Sequence, residues 1–197
     1  MKRLIVYLLV GLGVLAFVAG CSKQPAQELS DAKAAIDATV ADGAEKYANE
    51  DLKRLNDSLT AATDEISTQD KKFFKSYTKA KEMLAQLKAD AETLKTEMPA
   101  KKEKAKNDAL TVQTETTTAV AEAKALLAKA PRGKGSRADL EAMKADLAGL
   151  ETSLAEVQTL ISSEDYLAAS EKAAAIKAKA AEVSEQINQA MEKTGEK

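Results

Sequence analysis

Apolar residues in this 197-residue chain recur at alternating steps of three and four, and that spacing leaves few folds open. Leu52, Leu55, Leu59, Ala62 and Ile66 keep the rhythm, as do Tyr77, Ala80, Leu84, Leu87, Ala91, Leu94 and Met98. On an α-helix a mean step of 3.5 residues puts such a set on one narrow stripe, the seam of coiled-coil-like packing. Strands would need sustained alternation of apolar and polar residues or runs of β-branched ones. The chain has neither, and from Ala26 onward it is rich in Ala, Leu, Lys and Glu, all good helix formers. The predicted fold class is all-α, and the stripes read as core.

The stripes also carry an internal duplication. A shift of 95 carries Leu52, Leu55, Leu59, Ala62 and Ile66 onto Leu147, Leu150, Leu154, Val157 and Ile161, and ISTQD at 66–70 onto ISSED at 161–165. Beyond that turn the shift becomes 89 and carries Tyr77, Ala80, Leu84, Leu87, Ala91, Leu94 and Met98 onto Tyr166, Ala169, Ala173, Ile176, Ala180, Val183 and Ile187. The difference is a six-residue insertion in the first copy, within KKFFKS. Each copy reads as a helix, a turn marked by Ser and Asp, and a second helix opened by Tyr. Side chains of Ser and Asp suit such turns because they cap free backbone N–H groups at a helix start.

Two elements lie outside the copies. One helix is expected over about Leu29–Asp42, ended by Gly43 as a C-cap. The other covers Lys101–Ala130, with Ala105, Ala109, Val112, Thr116, Ala119, Ala123, Leu126 and Ala130 on the same period. Pro99 removes one helical hydrogen bond and crowds the preceding turn, so a kink is expected there. Pro131-Arg132-Gly133-Lys134-Gly135 is the clearest break, and Ser136 with Asp139 opens the next helix as a capping-box variant. The predicted architecture is an elongated antiparallel bundle: two three-helix bundles sharing a long kinked helix, somewhat like spectrin repeats, with a single six-helix bundle as the alternative. Expected boundaries are an N-terminal leader at 1–20, a tether at 21–28, a helical bundle at 29–100, a connecting helix at 101–130 and a C-terminal hairpin at 137–192.

The first twenty residues have a different character. Met1-Lys2-Arg3 precedes LIVYLLVGLGVLAFVAG, which has no charge, and the single cysteine of the chain follows at Cys21. A basic start, an apolar stretch and small residues before a cut make a secretory leader. A spanning helix, the rival reading, is weakened by Gly11, Gly13 and Gly20 and is slightly short of the roughly 20 residues needed. Val18, Ala19, Gly20 and Cys21 resemble the lipobox of bacterial lipoproteins. That resemblance implies peptidase recognition through Val18, Ala19 and Gly20, cleavage before Cys21, diacylglycerol in thioether linkage to its sulfur and an N-acyl chain on the freed amine. Ser22, where aspartate would favour inner-membrane retention, implies an outer-membrane location on the periplasmic side. Lys23-Gln24-Pro25-Ala26-Gln27 reads as a short polar tether. Two or three buried acyl chains hold a protein at a bilayer stably, where one is marginal.

A second resemblance lies in AKAAIDATVADGAEKYANEDLKRLNDSLTAA, residues 32–62, which is similar to an uncharacterised family of Ala-rich helical envelope lipoproteins. Its Gly-Ala, Tyr-Ala-Pro and Leu pattern is matched by Gly43, Ala44, Tyr47, Ala48 and Leu52, with Asn49 where proline is usual. The resemblance implies an envelope location and helical hairpins, and no chemistry.

Composition narrows the function classes. With the leader gone, Lys2 and Arg3 go too, so 29 basic side chains become 27 against an unchanged 31 acidic ones, and the net charge moves from −2 to −4. An acidic exported chain is a poor ligand for nucleic acid. Histidine is absent and Cys21 has no second thiol, so no catalytic, metal or cofactor residues are expected beyond the covalent lipid on Cys21. GKGS lacks the earlier glycine and preceding strand of a phosphate loop. Lys101, Lys102, Lys104 and Lys106 read as a solvated face; they or the Arg132, Lys134, Arg137 tip are weaker candidates for anionic lipid or wall polymer. The expected partners are the membrane, through the lipid anchor, and other envelope proteins or peptidoglycan. Lys197 resembles the terminal lysine that joins the major outer-membrane lipoprotein of enteric bacteria to peptidoglycan. The role expected is structural or scaffolding; the alternative is a module that binds lipid or a partner helix in an Ala- and Leu-lined groove.

Overall fold

The structure, a computed structural model, describes residues 23–130 and 137–195. Val18, Ala19, Gly20 and Cys21, the tip residues Arg132 and Lys134, Ser136 and Lys197 lie outside the described residues. Among the described residues there are six helices and no strand: α1 (Ala26–Ala41), α2 (Ala44–Tyr47), α3 (Asn49–Asp70), α4 (Thr78–Lys129), α5 (Arg137–Ser162) and α6 (Tyr166–Gly195). The fold is an all-α bundle, as the period of the stripes predicts. The chain divides into two compact units, the first ending at Lys101 and the second beginning at Lys102.

In the first unit one buried cluster joins α1, α3 and the N-terminal part of α4, through residues such as Ile36, Leu55, Ile66, Leu84, Leu87 and Met98. Every member of the stripe from Tyr77 to Met98 is buried, as is every member of its repeat from Tyr166 to Ile187 in α6. Ala62, Ala80, Ala91, Ala169, Ala173 and Ala180 are all at 0% exposure. Small side chains at these seam positions let the helix backbones approach closely. In the second unit Ala123, Met143, Leu147, Val183 and Ile187 form a core drawn from α4, α5 and α6. Thr116 is fully buried there, and its hydroxyl lies 2.7 Å from the Val112 carbonyl oxygen on its own helix and 2.9 Å from that of Ala173 on α6.

Two details depart from the sequence reading, and one follows it. Pro99 does not end a helix: α4 runs through it for 52 residues. Both Pro99 and Lys95, whose carbonyl loses its helical partner, are exposed, so water can replace that bond. The helix α1 starts at Ala26 instead of about Leu29, because Pro25 at the N-cap is buried and its carbonyl accepts from Leu29 N at 3.0 Å. A proline at a helix start sacrifices no helical donor, which leaves little of 21–28 as free tether. The expectation that Leu150 and Leu154 are full core residues is also corrected, since both are only half-buried.

The turns follow the chemistry of their residues. Gly43 ends α1 with φ of 92°, a left-handed conformation that glycine adopts without a Cβ penalty. In the second copy Asp165 N bonds to Leu160 O at 2.8 Å and Glu164 N to Ile161 O at 3.1 Å, a Schellman closure that places Glu164 at φ of 60°. Asp165 then caps α6, its carboxylate 3.4 Å from Ala168 N. In the first copy six exposed residues, Lys71 to Ser76, separate Asp70 from Tyr77.

Leu84 is 1% exposed, so Leu84→Ala should cost about 2–5 kcal/mol in chemical denaturation, and Leu150→Ala distinctly less. Gly149 stands inside α5, and a Cβ there would meet nothing within 4 Å. Gly149→Ala should therefore raise the stability by about 0.5–1 kcal/mol through helix propensity alone.

Candidate functional site

Each unit of the described structure has a place where chemistry-bearing or ligand-sized features come together. In the first unit the start of α1 meets the turn between α3 and α4. Asp70 is the node: one carboxylate oxygen accepts from Gln24 Nε2 at 3.0 Å, and the other accepts from the Tyr77 hydroxyl and lies 3.9 Å from Lys75 Nζ. The bond to Asp70, reinforced by burial, holds the Tyr77 hydroxyl above its ordinary pKa. Beside it, the mostly buried Gln69 donates to Glu65 at 2.7 Å and accepts from Ser76 N at 3.4 Å, while Lys79 Nζ donates to Glu65 at 3.0 Å. Lys81 reaches back to Glu28 on α1 at 3.1 Å. The duplicated Asp has therefore changed partners between the copies: Asp165 caps its own helix, whereas Asp70 ties the N-terminal residues to the turn.

In the second unit a groove of about 630 Å³ runs between α4 and α5. Leu127, Leu140 and Leu147 give it an apolar wall, and Ala128 and Ala148 leave it width because their side chains stop at Cβ. Lys124 Nζ meets Glu151 at 2.6 Å across it, and Glu141 and Lys144 stand on its rim. A volume of this order suits a drug-sized ligand. An Ala- and Leu-lined groove is the alternative that the sequence offers, without a position. The signal that could have placed it is Leu126-Leu127, where the stripe of α4 widens by one residue.

The other candidate residues are placed less favourably for ligands. Lys101 bonds Asp51 at 3.0 Å and lies 3.8 Å from Glu97; the Asp51 bond raises its pKa. Lys104 pairs with Asp108 at 2.6 Å and Lys106 with Glu103 at 3.7 Å. These pairs give the basic run the character of a neutralised helix face. Among the described residues no group of three or more His, Cys, Asp or Glu side chains could hold a metal ion, and no helix is long and apolar enough to cross a membrane.

Residues 27–110 match a domain of unknown function (DUF4398). The match includes the 32–62 stretch on which the resemblance to an uncharacterised family rests, and extends through α3 into α4. No curated protein and no solved structure matches the chain. The Gly-Ala and Tyr-Ala pattern has a structural reason here. Gly43 supplies the left-handed turn, Ala44–Tyr47 forms the single turn of α2, and Ala48 is the non-helical N-cap of α3. Asn49 is the first residue of α3, the position where a proline would fit without losing a hydrogen bond.

Glu65 and Glu28 both have pKa values below the ordinary 4.5, Glu65 through the hydrogen bonds from Gln69 and Lys79, Glu28 through a backbone hydrogen bond and then Lys81. A depressed carboxylate contributes stability that is present above its unfolded pKa and lost as pH falls through the folded one. The protein should therefore lose stability below about pH 4.5. Glu65→Gln should be less stable at neutral pH and flatten that acid limb in thermal melts recorded from pH 7 to pH 3.

Proposed function

We propose that the protein is a lipid-anchored lipoprotein of the bacterial cell envelope, held at the periplasmic side of the outer membrane through Cys21, whose helical units play a structural or scaffolding role toward other envelope components. The observation that carries this reading is Val18-Ala19-Gly20-Cys21 at the end of an uncharged apolar stretch, with the first packed residues following almost at once. Gln24 is bonded to Asp70 and Pro25 is buried, so the folded unit begins three residues after Cys21. A tether that short suits a protein whose folded part works close to the surface that anchors it. Scaffolding is favoured over chemistry by the absence of histidine from the chain and by the distribution of carboxylates into cross-helix ion pairs such as Lys124 with Glu151 and Lys177 with Glu115.

The groove between α4 and α5 supports a second reading, in which the second unit takes up an acyl chain or an apolar helix face against Leu127, Leu140 and Leu147. One preparation distinguishes the two. The protein extracted from bacterial membranes should yield an N-terminal peptide that starts at Cys21 and carries the mass of diacylglycerol and an N-acyl chain, and Cys21→Ser should abolish that mass. A polypeptide that begins at Met1 with a free thiol would overturn the anchor. Noncovalent lipid released on denaturation in native mass spectrometry, and lost in Leu140→Glu, would favour the groove reading over a purely structural role.

A further inference from the structure

The six residues that distinguish the first copy from the second form the most exposed apolar feature of the described structure. Phe73 is 91% exposed and Phe74 84%, with their rings in edge-to-face contact at 5.0 Å. Every residue from Lys71 to Ser76 is exposed. Lys71, Lys72 and Lys75 surround the pair, so the loop carries three positive charges and no negative one of its own. Of these, Lys75 lies 3.9 Å from Asp70, which Gln24 and Tyr77 also engage, while Glu65 is held by Gln69 and Lys79. The second copy makes the same connection directly from Asp165 to Tyr166, so the fold does not require these residues.

Their position is fixed by the Asp70 node. Gln24 bonds the residue immediately before the loop, and Cys21 lies three residues upstream, a stretch of chain that spans at most about 11 Å. Exposed Lys23 adds a fourth positive charge at this end of the first unit. We propose that Lys71–Ser76 is a second membrane contact: Phe73 and Phe74 enter the headgroup and upper acyl region, and Lys71, Lys72 and Lys75 meet the phosphates of anionic phospholipid. Exposed Phe side chains flanked by Lys bury about 5–10 Å into the boundary between headgroups and acyl chains, as on the apolar face of an interfacial helix. Basic residues beside them are drawn to an anionic surface, each by about 1 kcal/mol. The anchor and the loop together would make two points of attachment at one end of the unit, which restricts how the first unit tilts on the membrane. This inference rests on the anchor of the proposed function for bringing the loop to the bilayer.

The chain has no tryptophan, so Phe74→Trp introduces a single reporter at an exposed position. The full chain carrying it, purified from bacterial membranes, is reconstituted into vesicles of phosphatidylethanolamine and phosphatidylglycerol with brominated acyl chains. The expected result is a blue-shifted indole emission with most of its intensity quenched by bromine. Replacing Lys71, Lys72 and Lys75 by Gln should weaken partition of the loop by roughly fivefold per lysine, the factor equivalent to about 1 kcal/mol, and neutral phosphatidylcholine vesicles should weaken it likewise. Emission of a fully hydrated indole in these vesicles would overturn the contact. A blue shift without quenching would overturn it too, since the rings would then be covered by protein, whether a second copy or a partner. The mass of the N-terminal peptide from the same preparation reports the anchor separately. A correct anchor with an unquenched indole removes this inference alone, and a quenched indole without the thioether lipid removes the anchor while the loop contact stands.

Discussion

The structure depends on alanine-spaced seams. Each compact unit is built from helices whose inward positions alternate between side chains with almost no volume, such as Ala80, Ala91, Ala169 and Ala180, and larger ones such as Leu84, Leu87, Ile176 and Ile187. The large residues remove apolar area from water, which is the dominant favourable contribution. The small ones set how near the helices come, and so how completely the large ones are covered. A core made this way needs long helices, because little area is buried per turn, and long helices are what the chain supplies.

The period of the stripes and the duplication are both legible in the sequence, because each depends only on the identity and spacing of apolar residues. The stripe from Tyr166 to Ile187 is buried throughout, as its spacing requires. What spacing does not show is how far a neighbouring helix covers each position. Leu150 and Leu154 keep the same rhythm as Leu147 and Val157, yet they are only half-buried where the other two are fully covered. Polar side chains are harder still to read. Asp70 and Asp165 occupy equivalent positions, and only the fold shows that one ties the chain start to a turn while the other caps a helix. The single turn of α2 has no apolar stripe and follows from the left-handed Gly43.

The two copies show how a repeated hairpin can diverge while its second helix keeps its stripe. The second helices keep every buried position of that stripe, and the first helices differ in that Leu55 and Ile66 are buried where Leu150 and Ile161 are half-buried. The chain itself differs most at the connection: a tight Schellman turn with Glu164 in the second copy, six added residues in the first. Changes at a turn leave the seam untouched, whereas changes in the seam must be matched by its neighbours. The surface at helix ends is therefore where this fold can acquire new properties at small cost in stability.

Thr116 bears on a weakness that such seams carry. When many inward positions are alanine, sliding one helix along another by a heptad replaces one set of small contacts with a nearly equivalent set, so apolar packing discriminates poorly between alignments. A buried hydroxyl 2.9 Å from the Ala173 carbonyl oxygen favours alignments that set a small residue opposite Thr116, since only a small side chain lets the backbone come that near. The ion pair of Lys177 with Glu115 at 2.7 Å joins the same two helices of the second unit through side chains, so a heptad slide would part it.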